Sequence, residues 1–364
     1  MRTLVVSDLH LGARTGIDVL RSPDVTASLR RQLAECERLV LLGDVLELRH
    51  GPVRDALAVA APVLRELGAA LPRSAEVVIV PGNHDHHLLS GWLERRARHE
   101  APPQLGLESD VDWRAGETLA SVAAWLAPAT VRAAYPGVWL REDVYATHGH
   151  YCDRHTTVPM FERLGAGVMA RIVHQPPDGP WRAEHYEATL APIYAWIHAV
   201  AQNGGPGLGR SSHGPSAQAW RVLTGNDRRP TLRRRVLIAG FPAIVAAVNR
   251  LGLGPLRADL SGPELRRAAL RAFGEVLQRL RIAAPHVIFG HTHRAGPLDR
   301  DDRSEWRSPT GAALINAGCW VHERAFLGAD PHESPYRPGF AVLVDSDEPP
   351  ALGNLLEATA PAQA

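Results

Sequence analysis

Lysine is missing altogether: all 40 basic residues of this 364-residue chain are arginine. Genome-wide compositional bias explains that more simply than phosphate binding does. Against 39 acidic residues the arginines leave a formal net charge of +1, so no global field draws the chain to nucleic acid. Cysteine is scarce. Cys36, Cys152 and Cys319 are scattered and odd in number, which excludes a disulfide framework and a thiolate metal site and points to a reducing compartment. Long hydrophobic runs are absent too. The apolar stretch Val236–Val248 is interrupted by Gly240 and Pro242 and falls short of the roughly 20 residues that span a bilayer. It reads as a buried helix pair; because Arg233, Arg234 and Arg235 precede it, the sharper reading is an interfacial patch that touches lipid. No charged stub followed by an apolar stretch precedes the first strand-like residues, as a secretory leader would. The expectation is a cytoplasmic protein, peripheral to a membrane if that patch touches lipid.

What is present is a repeated pattern. Five short apolar runs each lead directly into Asp, Asn or His. Leu4–Val6 precedes Asp8, Leu39–Leu42 precedes Asp44, and Val77–Val80 precedes Asn83 and His84. Val144–Ala146 precedes His148, and Val287–Phe289 precedes His291. Continuous Val/Ile/Leu runs of this kind are buried strands covered on both faces. In open α/β sheets ligands gather beyond the carboxyl ends of such strands. Val25–Arg38 and Arg54–Leu67 have helical amphipathic spacing, and Ala312–Asn316 and Phe340–Val344 read as closing strands. Between residues 151 and 285 helical segments replace the strand pattern, with a Gly/Ser/Pro-rich loop at Asn203–Ser216. The predicted organisation is an α/β core over 1–150 and 286–347, a mostly helical lid over 151–285 and a disordered tail over 348–364.

The candidate metal ligands are Asp8, His10, Asp44, Asn83, His148, His291 and His293. Asp8 and His10, like His291 and His293, are two apart, a spacing that lets both side chains of an extended segment reach one centre. Carboxylate, imidazole and amide oxygen suit borderline or hard divalent ions such as manganese, iron, zinc or cobalt, with manganese the first expectation. The set is too large for one ion and fits two if a carboxylate is shared. Paired cations roughly 3.5–4 Å apart can clamp the attacking and leaving oxygens of an in-line displacement at phosphorus.

Taken in order, Asp8-Leu9-His10, Gly43-Asp44, Gly82-Asn83-His84-Asp85, Thr147-His148-Gly149-His150 and Gly290-His291-Thr292-His293 resemble the signature of calcineurin-like metallophosphoesterases. The resemblance covers about residues 1–150 and 286–345. It implies a four-layer α/β/β/α sandwich. It implies one metal on Asp8, His10, Asp44 and His293 and a second on Asp44, Asn83, His148 and His291. It further implies that His84 serves the leaving oxygen and that Asp85 orients the His84 ring. Arg14, His150, Asp153 and Arg294 lie close enough in sequence to these motifs to be candidate substrate contacts.

Asp85 in the third motif, and no acidic-arginine-glycine extension after Asp44, argue against the serine/threonine protein phosphatases. Ser7-Asp8-Leu9-His10 and His148-Gly149-His150-Tyr151-Cys152-Asp153 look most like the UDP-diacylglucosamine pyrophosphate hydrolases and their relatives. His84 stands where those hydrolases tend to carry arginine, and the insertion is longer. The expected substrate is a phosphodiester or pyrophosphate with a hydrophobic or nucleotide-linked group. A nuclease and a metal-free scaffold on the same fold are the alternatives.

Overall fold

The computed structural model describes residues 1–203, 232–328 and 330–357, with no side-chain description for 232–239. The strands are β1 (Thr3–Val6), β2 (Arg38–Leu42), β3 (Glu76–Val80), β4 (Glu108–Asp110) and β5 (Thr130–Arg141). They continue with β6 (Val144–Thr147), β7 (His286–Phe289), β8 (Ala313–Asn316), β9 (Phe340–Val344) and β10 (Ala351–Asn354). The principal helices are α1 (Pro23–Leu33), α2 (Val53–Ala70), α3 (Ser90–Ala97), α4 (Thr118–Trp125), α5 (Phe161–Ile172), α6 (Ala183–Asn203), α7 (Leu232–Arg250) and α8 (Gly262–Leu280).

One strand path, β10-β9-β1-β2-β3-β5-β6-β7-β8, runs through the molecule, with β4 beside β5. Its fold-over point is the long strand β5, which pairs with β3 through Thr130–Ala133 and with β6 through Gly137–Arg141. The two halves then face each other. Val5, Val40 and Val78 from one half pack with Ala146, Ile288 and Ile315 from the other. Because side chains alternate along a strand, Leu4, Leu39, Leu41 and Ile79 point outward, where Leu29 of α1, Leu64 of α2 and Leu119 of α4 cover them. On the far side Tyr145, Val287 and Phe289 meet Leu270, Phe273 and Leu277 of α8. These are the four layers the motifs implied. The apolar runs are continuous because these strands are covered on both faces.

Four expectations change. α1 stops at Leu33, not Arg38, because Arg38 opens β2 and pairs with Glu76 at 2.8 Å. α8 belongs to the core and not to a lid: Leu270, Phe273 and Leu277 at helical spacing form one stripe on β7, with the Phe273 and Phe289 rings stacked at 4.2 Å. Residues 351–354, expected in a disordered tail, form β10 because their backbone groups complete the ladder on β9. The run at 236–248 lies in one helix, α7, and not in a buried pair; Ile244 is exposed while Val245 is buried. The expected loop at 203–216 lies, beyond Asn203, outside the described residues.

Candidate metal centre

β1, β2 and β3 run parallel, as do β6, β7 and β8, so their carboxyl ends deliver the motif side chains to common ground. The loops are lashed together: Asp8 N–H donates to Gly43 O at 3.1 Å, His10 N–H to Asp44 O at 2.8 Å, and Gly290 N–H to His148 O at 3.0 Å. Close approach dictates glycine at Gly43, which has φ +80° and where a Cβ would sit 2.2 Å from the His148 ring. Among the described residues seven non-glycine positions have positive φ, and five are candidate ligands: Asp8, His10, Asp44, His291 and His293. Such backbone costs roughly 1–3 kcal/mol per residue and persists only where the surroundings enforce it.

Two constellations result. Asp8, His10 and His293 form the first: Asp8 Oδ1 lies 3.8 Å from His10 Nε2 and 3.3 Å from His293 Nε2. Asp44, His148 and His291 form the second, with Asn83 Oδ1 at 3.2 Å from His148 Nε2 and 3.1 Å from His291 Nδ1. Asp44 Oδ2 stands between them, 3.3 Å from His148 Nε2 and 3.8 Å from His10 Nε2.

The donor set fits cations. Asp8 Oδ1 is fully buried and has no hydrogen-bond partner. The Asn83 side-chain amide converges on the same point, 3.1 Å from His291 Nδ1 and 3.2 Å from His148 Nε2. Burial alone would raise the carboxyls of Asp8 and Asp44, but the neighbouring histidines, His148 foremost, outweigh it and hold both well below the ordinary range. Burial likewise opposes charge on His10 and His291, yet carboxylates, Asp8 beside the one and Asp153 beside the other, push both rings well up. In protein alone, ring protons supply the positive charge these carboxylates demand. Divalent ions would displace those protons.

Sequence reasoning missed Glu47. Its Oε2 accepts from His84 Nδ1 at 2.7 Å and from His10 Nδ1 at 3.1 Å, in full burial. A visible signal existed: a carboxylate three residues after Asp44, flanked by buried Val45, Leu46 and Leu48, needs a partner inside the protein. Asp85 is accordingly not the partner of His84. Its carboxylate accepts backbone N–H bonds from Gly82 and Val45 at 2.7 Å and from Asp44 and Leu46 at 3.3 Å. It holds the second and third motif loops in register. Burial, then Asp44, pushes its carboxyl up to about 6.

The four candidate substrate contacts part ways. Asp153 accepts from His291 Nε2 at 2.8 Å and so orients that ring. Arg294 lines the cavity beside the cluster, but its guanidinium is held by Asp301 at 2.6 and 3.0 Å. His150 is buried beside Tyr135, whose hydroxyl lies 3.0 Å from its Nε2, and does not line that cavity. Arg14 is exposed and directed at His50 O and Asp55. Asn316 was missed as well; at the end of β8 its Nδ2 donates to Gly290 O at 3.0 Å and Thr292 Oγ1 at 2.9 Å, fixing the fifth motif. α6 is tied beneath the site by Glu187, which accepts from the Tyr135 hydroxyl at 2.5 Å, the Tyr151 hydroxyl at 2.7 Å and His86 Nε2 at 3.0 Å.

A cavity of 350 Å³ opens at the cluster. His84, His291 and His293 form one end, and Met160, Phe241, Leu265 and Trp306 are among its apolar walls. Among the described residues no helix is long and apolar enough to cross a membrane.

Three solved structures are similar at low identity. A Pseudomonas putida nuclease is 23% identical over 40% of this chain, which spans 53% of the nuclease, with a TM-score of 0.23. A cold-active protein-tyrosine phosphatase of a psychrophilic Shewanella is 14% identical over 97% of this chain and 78% of its own, with a TM-score of 0.31. A dimetal phosphatase from Danio rerio is 13% identical over 98% of this chain and 99% of its own, with a TM-score of 0.32. No curated protein matches. Those superpositions are too distant to carry the assignment, which rests on the family model for calcineurin-like phosphoesterases, matched over residues 1–295. The chain belongs to the calcineurin-like phosphoesterase family of metal-dependent phosphoester hydrolases.

Proposed function

We propose that the chain hydrolyses a phosphodiester or pyrophosphate bond flanked by an apolar group. The observation that carries this reading is the apolar-walled cavity ending on His84, His291 and His293. Asp8, His10 and His293 would hold one divalent ion and Asn83, His148 and His291 a second, with Asp44 shared. Manganese is the first choice; iron, zinc and cobalt suit the same donors. When bound, such ions supply positive charge to the phosphate and lower the pKa of water toward about 7. Glu47 fixes Nδ1 of His84, which leaves Nε2 to hold or give a proton at the leaving oxygen. Asp153 fixes Nε2 of His291, which leaves Nδ1 for the cluster. The apolar walls exclude water and take the hydrophobic part of the substrate.

The test is a panel of chromogenic phosphodiesters whose second ester group lengthens from methyl to dodecyl, assayed with manganese, zinc, iron and cobalt. KM should fall as the chain lengthens, and Leu265→Asp should erase that trend while sparing the methyl ester. A KM indifferent to chain length, with DNA or nucleotide sugars preferred, would sink the apolar reading.

A further inference from the structure

The exposed large apolar side chains are not scattered. Among the described residues there are eight, and apart from Met1 all lie between Phe161 and Leu251. On α5, Phe161, Val168 and Ile172 fall at helical spacing on one stripe. Trp196 of α6, 57% exposed, stacks on Phe161 at 5.7 Å. Ile244 of α7 and Leu251 just beyond it are seven apart, two helical turns, and Arg171 joins the two stripes by donating to the Leu251 carbonyl. Ile172 is 61% and Leu251 65% exposed. A contiguous apolar surface of this kind needs a partner.

Charge says what kind. The chain's +1 conceals a division: residues 161–251, which carry the exposed apolar side chains, hold eleven arginines against five carboxylates, and the rest holds twenty-nine against thirty-four. The stretch with the apolar surface is therefore strongly basic while the remainder is acidic. Arg171 and Arg250 are exposed next to Ile172 and Leu251. Arginine stems lie on apolar surface and carry their heads to its edge. Aromatic and aliphatic side chains flanked by arginine are the chemistry of an anionic lipid interface. Nucleic acid would match the charge but would leave Ile172, Ile244 and Leu251 unsatisfied.

We propose that α5, α6 and α7 dock this face on an anionic bilayer. The face adjoins the cavity: Met160 and Phe241 line the cavity, and their neighbours Phe161 and Ile244 lie on the exposed face. Docking stands on exposure and charge alone. Delivery of an amphipathic substrate from the bilayer rests in addition on the proposed function.

The test is flotation of the full-length protein with vesicles of phosphatidylcholine alone or with one-third phosphatidylglycerol. Binding should require phosphatidylglycerol, weaken as salt rises, and fall roughly tenfold or more in Ile172→Glu/Leu251→Glu. Melting temperature and hydrolysis of a small soluble phosphodiester should stay unchanged in that variant, so that loss of docking is read apart from loss of chemistry. No binding to anionic vesicles, or equal binding by the variant, overturns the proposal. So does a wild-type dimer that the variant abolishes while vesicles capture neither, since a second copy would then be the occupant.

Discussion

The Glu47 carboxylate lies 2.7 Å from Nδ1 of His84, and the same oxygen is 3.1 Å from Nδ1 of His10. One buried anion therefore orients both the candidate acid and a candidate metal ligand. Glu47→Gln should weaken metal binding by roughly 10–100-fold and lower turnover even at saturating metal. Metal titration and kcat on a soluble diester, measured on the same preparation, check this. Full activity in the variant would remove Glu47 from the site's workings.

Asp85 should behave differently. Asp85→Ala leaves four loop amides without their acceptor in a fully buried place, at a cost of roughly 3–5 kcal/mol. Urea unfolding should show that loss, with metal affinity falling alongside. Wild-type stability combined with dead chemistry would return Asp85 to a direct catalytic role.

His84→Ala removes a ring that faces the cavity but leaves both constellations intact. It should retain metal and lose roughly 10²–10⁴-fold in rate, most on poor leaving groups. Equal losses on good and poor leaving groups would count against proton donation by this residue.

His87 stacks on His198 at 3.9 Å, and burial, then His198 and His86, push it down to about 4. In the unfolded chain it should titrate near the ordinary value of about 6.5. Between those values the unfolded state binds the extra proton, so stability drops as pH falls from about 6.5 toward 4. His87→Phe should flatten the decline between pH 7 and 5 by up to about 1.4 kcal/mol per unit. Parallel stability profiles for the two proteins would show that this ring carries none of the pH dependence.

The strand ends were legible because a strand buried on both faces leaves a continuous apolar run, and a polar residue after it marks the sheet's edge. Leu39–Leu42 before Asp44 and Val287–Phe289 before His291 are both such cases. β5 was not legible: Arg132 and Pro136 break its pattern, and its two halves serve different neighbours. Adjacency misled at Asp85. Next to His84 in sequence, it turns to amides of a loop forty residues earlier, while the partner of His84 comes from that same loop. The left-handed backbone of Asp8, His10, Asp44, His291 and His293 had no sequence signal: Asp and His tolerate such angles better than other side chains, yet most Asp and His residues do not adopt them, and here the packed loops impose them. The exposed stripe on α5 could be read as amphipathic spacing, but only the fold shows which stripe is uncovered.

Anomalous scattering from crystals of the manganese-loaded protein tests the central claim most directly. Two peaks are expected, one among Asp8, His10 and His293 and the other among Asn83, His148 and His291, with the Asp44 carboxylate between them. A single peak, or manganese bound only elsewhere on the molecule, would contradict the two-cation account.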